Sequence, residues 1–250
     1  MKWLTRLRRS RVSVATLRPK RRVYALGDVH GCVELMDQAL KLVTDDLAAR
    51  EAPATLVTLG DYVDRGPASA AVLTRLRELS SFGCPVVSLL GNHERMMCDF
   101  LADPAEHGPM WLRNGGMATL ASYDVTVSSD MAGMAEALRR ALPDGTLAWL
   151  EAQPLLWRSG NLVCVHAGFD PAISIASQKT RTMLWGHPAF LRERRRDGAW
   201  VIHGHTIVSE PSIKDGRIAV DTGAYASGRL TVGVIEPQRV SFLTAEGAMR

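Results

Sequence analysis

The chain has 250 residues, of which 46% are hydrophobic and 22% are charged, and its formal net charge is +4. This composition is typical of a globular protein and excludes collagen-like, disordered and disulfide-scaffold classes. No run of about 18 apolar residues occurs, so the sequence predicts no membrane-spanning helix. The four cysteines form no CxxC pair, which favours buried, reduced thiols and a cytoplasmic location.

The positive charge is concentrated at the N-terminus. Residues 1–22 carry nine Lys and Arg and no acid, which leaves the rest of the chain at −5. We expect this segment to be a poorly ordered basic tail that at most touches an anionic surface, and we expect the folded domain to span 23–250. Because the remainder is mildly acidic, the sequence gives no specific indication of nucleic-acid binding. Nothing in it predicts the oligomeric state.

The first half of the chain alternates between short apolar runs and helical periods. Apolar runs lie at 23–26, 55–59 and 85–90, and helical periods follow the first two at 34–49 and 68–79. Strands that alternate with helices in this way predict a parallel sheet.

The pattern then changes twice. Ala, Met and Leu dominate from about 104 to 157, which we interpret as a helical insertion with helices at 131–142 and 146–150. The second half is rich in apolar, β-type runs and predicts further strands at 162–165, 200–202, 217–220, 230–235 and 240–243. The expected fold class is therefore α/β.

A polar cluster follows each of five apolar runs. The clusters are GDVHG at 27–31, GDYVDRG at 60–66, GNHE at 91–94, HAG at 166–168 and HGH at 203–205. In open α/β sheets, ligands bind beyond the carboxyl ends of the strands, so these clusters are expected to converge on one edge. Five of the seven histidines fall within them.

The residue types in these clusters suit a pair of divalent metal ions. Oxygen and nitrogen donors without thiolate are typical of Mn(II), Fe(II) or Zn(II) sites. Six donors are too many for one ion with open positions, but they suit two ions about 3.5–4 Å apart if Asp61 is shared. The candidate ligands are Asp28, His30, Asp61, Asn92, His166 and His205.

Three further residues point to chemistry on a phosphoryl group. Arg65 supplies a planar cation that suits phosphoryl oxygens. His93 stands beside Asn92 and is a candidate proton donor, and Asp64 is placed to orient it.

Taken together, these motifs resemble the phosphoprotein phosphatase family within the calcineurin-like metallophosphoesterases. The resemblance extends to WLRNGG at 111–116 and VDTGAY at 220–225, as in the bacterial and phage serine/threonine phosphatases, and covers roughly 22–236. It implies a four-layer αββα sandwich with a helical cap insertion and with the metals at the sheet edge.

The resemblance also implies roles for single residues. The first metal would be held by Asp28, His30 and Asp61, and the second by Asp61, Asn92, His166 and His205. Two divalent ions, Mn in the first place and Fe or Zn as alternatives, would activate a bridging hydroxide for direct in-line attack on phosphorus. His93, paired with Asp64, would be the general acid, and Arg65 would clamp the phosphate.

Two positions depart from the wider pattern. The second phosphate-binding Arg expected two residues after Trp185 is replaced by His187, so His187 or one of Arg181, Arg192 and Arg194 becomes a candidate substrate contact. Asn114 in the WLRNGG motif is a further candidate substrate contact. Ile207 replaces the last His of the GHxH motif common in the superfamily, and His203 is not a predicted ligand.

Three functions compete on this sequence. Asp64 and Glu94 favour hydrolysis of phosphoserine and phosphothreonine in proteins. The alternative is a symmetrical bis(5'-nucleosyl)-tetraphosphatase or another small-molecule phosphoesterase, a sibling that usually has Asp in place of Glu94 and lacks Asp64. The third, a non-enzymatic scaffold with a binding tail, is disfavoured by the complete ligand set.

Overall fold

The computed structural model describes residues 14–50 and 52–247, together with the backbone of Arg8 and Arg9. These residues form two mixed sheets. The six-stranded sheet has the order β1-β11-β10-β2-β3-β4, with β1 at Arg8–Arg9, β2 at Arg22–Leu26, β3 at Ala54–Thr58, β4 at Val86–Ser88, β10 at Arg229–Glu236 and β11 at Arg239–Glu246. The five-stranded sheet has the order β5-β6-β7-β9-β8, with β5 at Leu156–Ser159, β6 at Leu162–Val165, β7 at Trp200–His203, β8 at Ser212–Lys214 and β9 at Arg217–Ala219.

Seven helices share one hydrophobic core with the six-stranded sheet. They are α1 at Val33–Ala48, α2 at Ser69–Glu78, α3 at Asn92–Ala102, α4 at Pro104–Trp111, α5 at Met117–Ser122, α6 at Met131–Ala141 and α7 at Thr146–Glu151. The short helix α9 at Ala224–Ser227 also contributes to this core, whereas α8 at Thr180–Trp185 contributes to the outer cluster of the second sheet. Short 3₁₀ turns lie at Leu79–Ser81 and Ile175–Ser177. Of the helices in the described ranges, none combines the length and the apolar character needed to cross a bilayer.

Side-chain alternation along the buried strands divides the core into layers. In β2, Tyr24 and Leu26 face the helices, whereas Val23 and Ala25 face the second sheet. Successive side chains of a strand point to opposite faces, so a strand buried on both faces is apolar throughout. The same alternation in β6 separates the layer between the sheets from a small outer cluster around Phe190. The predicted sandwich is confirmed, although its fourth layer is thin and consists mainly of α8 and the loop around Phe190.

The sheet topology places the ligand-bearing loops together. Strands β2, β3 and β4 run parallel, and so do β6, β7 and β9. The carboxyl ends of parallel strands meet at one edge of a sheet, where an open α/β fold binds its ligands. The loops after β2, β3, β4, β6 and β7 are the polar clusters of the sequence.

The boundaries of two predicted regions differ in the structure. The helical insertion ends with α7 at Glu151, and residues 156–159 form β5 instead, because their backbone pairs antiparallel with β6. The part of the predicted tail from Val14 onward packs on the domain. Leu17 is fully buried between the sheets, and Arg22 already belongs to β2. The remainder of the predicted tail, 1–7 and 10–13, lies outside the described residues.

Candidate metal centre

Strained backbone marks the edge where the clusters converge. Eight non-glycine residues of the described chain have positive φ, and five of them lie in these clusters: His30, Asp61, Asp64, Arg65 and His205. A left-handed conformation costs a non-glycine residue free energy and concentrates at functional sites. The glycines of the clusters allow close approach. A Cβ at Gly204, for example, would lie 2.0 Å from Asp28 Oδ1.

The carboxylate of Asp61 lies at the middle of the cluster and faces histidines on two sides. Its Oδ2 is 3.6 Å from His30 Nε2, and its Oδ1 is 3.3 Å from His166 Nε2. Asp61 is therefore placed to bridge two cations.

The tautomers of the two flanking histidines fit metal binding. His30 Nδ1 lies 2.8 Å from the Val63 carbonyl, and His166 Nδ1 lies 2.9 Å from the Leu59 carbonyl. A carbonyl only accepts, so each Nδ1 carries the proton and each Nε2 presents a lone pair to Asp61. Burial lowers the pKa of His30 to about 3 and also lowers that of His166, which keeps both rings neutral.

Further acceptors point into the same space. His166 Nε2 also lies 2.8 Å from Asn92 Oδ1, so a lone pair, an amide oxygen and the Asp61 carboxylate converge without a proton between them. Oxygen and nitrogen acceptors that face one another in this way are satisfied by a cation. The donor set therefore fits a divalent metal.

Asp28 and His205 complete the edge on the side of β7. The backbone N–H of His205 donates to Asp28 Oδ2 (2.9 Å), and the His205 ring packs edge-on against His166 at 5.1 Å. Asp28 Oδ1 is buried without a hydrogen-bond partner in the described structure. Burial raises the pKa of Asp28, and the nearby Asp221 and Asp61 raise it further. An orphaned carboxylate oxygen of this kind also fits a bound cation.

The donor atoms fall into two groups that share Asp61. One group is His30, Asp61 and His93, and the other is Asp61, His166 and His205; within each group the donor atoms lie within 4.8 Å of one another. Four of the six predicted ligands belong to these groups, whereas Asn92 is placed by its contact with His166 and Asp28 by its hydrogen bond from the His205 backbone. His93, rather than Asp28, is grouped with His30 and Asp61.

His93 is held by a buried carboxylate. Its ring Nδ1 lies 2.7 Å from Asp64 Oδ2, and its ring Nε2 is 3.9 Å from Asp61 Oδ2. Its backbone N–H donates to Asp61 Oδ1 (3.1 Å). Burial opposes protonation of His93, but the carboxylates of Asp61 and Asp64 outweigh it and raise its pKa. Asp64 itself is fully buried and also accepts hydrogen bonds from Trp111 and Thr119.

Arg65 lies at the mouth of the site. Its guanidinium lies over the ring of Tyr225 at 4.9 Å, and Nη1 is 3.3 Å from His30 Nε2. Its backbone N–H donates to the carbonyl of Gly115 (3.3 Å), which belongs to the helical insertion. The insertion therefore supports the loop that carries the Arg65 guanidinium.

The remaining predicted substrate contacts occupy less direct positions. Asn114 donates through Nδ2 to the Met110 carbonyl (2.9 Å) of its own helical segment. His187 follows α8, and its Nε2 lies 3.8 Å from Asp170 Oδ2. Trp185, the last residue of α8, has its ring 6.5 Å from the His205 ring. His203 is turned to the outer face of its sheet, where its ring packs against Phe190.

Several residues organise the site through contacts that the sequence does not predict. Glu94 and Trp111 lie inside the quoted motifs, yet only the structure reveals their contacts. Asp221 accepts a hydrogen bond from Gly223 N–H (2.8 Å) beside Asp28. Thr119 stands in no quoted motif, and nothing in the sequence distinguishes it from an ordinary helix residue.

The match to known families decides which group the chain belongs to. A family model described as calcineurin-like phosphoesterase matches residues 21–209. The chain belongs to the calcineurin-like phosphoesterase family. Members of this family use divalent metals, in agreement with the His and Asp cluster.

Named relatives of this phosphoesterase fall into two groups. It is 29% identical over 229 residues to serine/threonine-protein phosphatase 1 of Salmonella typhimurium, with 86% of this chain and 93% of that protein covered. It is also 29% identical over 227 residues to the asymmetrical bis(5'-nucleosyl)-tetraphosphatase PrpE of Bacillus velezensis, with 82% and 86% covered. A symmetrical bis(5'-nucleosyl)-tetraphosphatase of Methylococcus capsulatus is 31% identical over 150 residues, but the match covers 60% of this chain and 44% of that protein.

Solved structures share the fold. That of a candidate diadenosine tetraphosphatase superposes with a TM-score of 0.63 and covers 91% of this phosphoesterase and 95% of the other chain, at 20% identity. Likeness at this identity concerns the fold alone.

Proposed function

We propose that this phosphoesterase hydrolyses phosphomonoesters and that its substrates are phosphoserine and phosphothreonine in proteins. The observation that carries the proposal is the His93–Asp64 pair beside Asp61, with Nδ1 and Oδ2 2.7 Å apart. The similarity to a bacterial serine/threonine phosphatase along 93% of that protein's length supports it.

Six residues would hold two metal ions. Asp28, His30 and Asp61 would hold the first, and Asp61, Asn92, His166 and His205 the second. Divalent ions bound there, with Mn(II) expected and Fe or Zn as alternatives, would supply a nucleophilic water at neutral pH and offset charge on the phosphoryl oxygens.

Residues of the chain would bind the phosphoryl group and transfer the proton. Arg65, exposed at the mouth of the site, would bind a phosphoryl oxygen through its planar donors. His93 would give the proton on Nε2 to the leaving oxygen, since its Nδ1 is engaged by Asp64. Asp64 would keep the ring in the orientation and tautomer that this transfer needs.

The presence of a proton donor favours alkyl phosphomonoesters over dinucleoside tetraphosphates as substrates. Serine and threonine leave as strongly basic alkoxides, which need a proton as the P–O bond breaks. The leaving group of a dinucleoside tetraphosphate is a nucleotide phosphate, which is stable as an anion. A buried His–carboxylate pair therefore gives more advantage with phosphoserine. Glu94, by contrast, is fully buried and contacts backbone N–H groups, so its side chain does not select between the two substrates directly.

A second candidate, tetraphosphatase activity, has one structural feature in its favour. Trp185 and Tyr225 are exposed large aromatic residues, with rings 6.5 Å from His205 and 5.3 Å from His30. Exposed aromatic rings at a site of this kind can stack on nucleobases. Two of the three relatives described above are named bis(5'-nucleosyl)-tetraphosphatases.

One comparison tests the proposal against this alternative. With Mn(II), kcat/KM would be measured in parallel for a phosphoserine peptide and for diadenosine tetraphosphate. We expect the phosphopeptide to have the higher value. A higher value for diadenosine tetraphosphate would replace the proposed substrate with the alternative, and turnover of neither would refute both.

A further inference from the structure

The WLRNGG segment at 111–116 lies in the helical insertion, and the proposed chemistry leaves its tryptophan without a role. Trp111 is fully buried, and its Nε1–H donates to both oxygens of Asp64, at 3.0 Å to Oδ2 and 3.1 Å to Oδ1. This bond joins the insertion to the carboxylate that holds His93.

A second residue of the insertion donates a hydrogen bond to the same carboxylate. Thr119 in α5 is fully buried, and its hydroxyl donates to Asp64 Oδ1 at 2.6 Å. The same hydroxyl accepts the backbone N–H of Asp64 at 2.9 Å. Together with His93, three side-chain donors surround Asp64 and occupy both of its oxygens, which fixes the plane of the carboxylate.

The tryptophan is itself locked in place from both sides. Its ring stacks on Phe100 of α3 with centroids 4.6 Å apart. On another side, a Cβ at Gly116 would lie 2.5 Å from Trp111 Cδ2, so only glycine fits there. Since Phe100 and His93 belong to the same helix, the ring is clamped between the insertion and the helix that carries His93.

We propose that Trp111 and Thr119 are positioning residues for the proton donor. They fix Asp64, and Asp64 fixes the His93 ring so that Nε2 faces the leaving oxygen. This inference rests on the proposed function. In the step concerned, a water molecule that has given one proton to solvent bonds to phosphorus through its oxygen, the P–O ester bond breaks, and the leaving alkoxide takes the proton from His93 Nε2. His93 then regains a proton from solvent.

A positioning role predicts dependence on the leaving group. An alkyl ester such as phosphoserine needs the proton, whereas 2,4-dinitrophenyl phosphate leaves as a stable phenolate and does not. Damage to His93 orientation therefore slows only the first substrate. General loss of packing or of metal ions would slow both substrates together, which separates the two roles.

The experiment uses the full chain loaded with Mn(II) and both substrates. Trp111→Phe removes the N–H and keeps the stacked ring, and Thr119→Val removes the hydroxyl. Each is expected to lower kcat for the phosphoserine peptide by about 10-fold to 100-fold and to change kcat for the aryl ester by less than about 2-fold, with wild-type metal content. Thr119→Ser keeps the hydroxyl and is expected to restore most of the phosphoserine activity.

Trp200→Phe is the matched control. The Trp200 indole N–H donates to Thr16 (3.0 Å) at the opposite end of β7, so its removal is expected to leave both kcat values unchanged. Equal losses on the two substrates in Trp111→Phe and Thr119→Val, or unchanged phosphoserine activity in both, would overturn the inference.

His93→Asn separates this inference from the proposed function. If His93→Asn also slows both substrates equally, His93 is not a proton donor, and the proposed mechanism fails. If His93→Asn shows the leaving-group dependence and the Trp111 and Thr119 variants do not, the mechanism holds and only the positioning role is refuted.

Discussion

Glu94 Oε2 accepts a hydrogen bond from the backbone N–H of Asp61 at 2.8 Å. The same carboxylate accepts the N–H groups of Tyr62 (2.7 Å), Val63 (3.1 Å) and Gly91 (3.0 Å). One buried side chain therefore holds the turn after β3, in which Asp61 has a positive φ. This bonding stabilises a loop conformation that is otherwise unfavourable.

Glu94→Gln tests this role. Glutamine presents one oxygen and one NH₂ group where four N–H groups need acceptors, so some of these bonds are lost. We expect the free energy of unfolding to fall by about 2–3 kcal/mol, measured by chemical denaturation. Glu106→Gln, at an exposed position in α4, is the control. An unchanged denaturation midpoint in Glu94→Gln would refute the role.

The shared carboxylate predicts coupled loss of both metals. Asp61 faces His30 on one side and His166 on the other, so Asp61→Asn removes charge from both groups of donors. We expect Mn content, measured by elemental analysis after dialysis, to fall well below that of the wild-type chain, and activity to fall with it. Asp37→Asn, which alters an exposed ion pair with Arg75, should keep full occupancy. Full occupancy in Asp61→Asn contradicts the bridging assignment.

His93→Asn distinguishes a proton donor from a metal ligand. The structure groups His93 with His30 and Asp61, but its ring is bonded to Asp64. We expect kcat on a phosphoserine peptide to fall by about 10²–10⁴-fold while metal content stays at the wild-type level. His107→Asn in α4 is the control. If the substitution removes metal, His93 is a ligand and a different proton donor must be sought.

Gly115→Ala tests the support of Arg65 by the insertion. Gly115 has φ 111°, and a Cβ there would lie 2.8 Å from Arg65 N. The side chain displaces the loop, so we expect KM for the phosphopeptide to rise about 10-fold with a smaller change in kcat. Gly198→Ala is the matched control, because Gly198 also has positive φ (75°), but among the described residues no atom beyond its chain neighbours lies within 4 Å of its Cβ position. Equal effects in both variants mean that strain alone is responsible.

Leu17→Ala tests the corrected N-terminal boundary of the domain. Leu17 is fully buried in the layer between the sheets, although it lies within the segment that its charge predicts to be a tail. We expect the substitution to destabilise the domain by about 2–5 kcal/mol, seen as a lower Tm. A wild-type Tm would contradict a contribution of Leu17 to the core between the sheets.

The sequence predicts the strands and the site better than it predicts the packing of the insertion. Apolar runs with polar clusters at their ends survive as β2, β3, β6 and β7, because both faces of these strands are buried. The sequence does not predict β5, because Trp157 and its neighbours lie in an Ala- and Leu-rich region and form a strand only through pairing with β6.

The residue roles that the motifs do not predict depend on contacts between residues far apart in the chain. The candidate ligand residues can be predicted because they lie in short motifs of metal-binding residue types. The roles of Trp111 and Thr119 depend on contacts with Asp64, 47 and 55 residues away in the chain. Likewise, Leu17 is buried by strands of both sheets, which charge patterning near it cannot predict.

The most direct test of the dinuclear site is the anomalous scattering of crystals grown with Mn(II). We expect two manganese peaks that flank the Asp61 carboxylate, one in contact with His30 and the other in contact with His166 and His205. A single peak, or manganese bound away from Asp61, would contradict it.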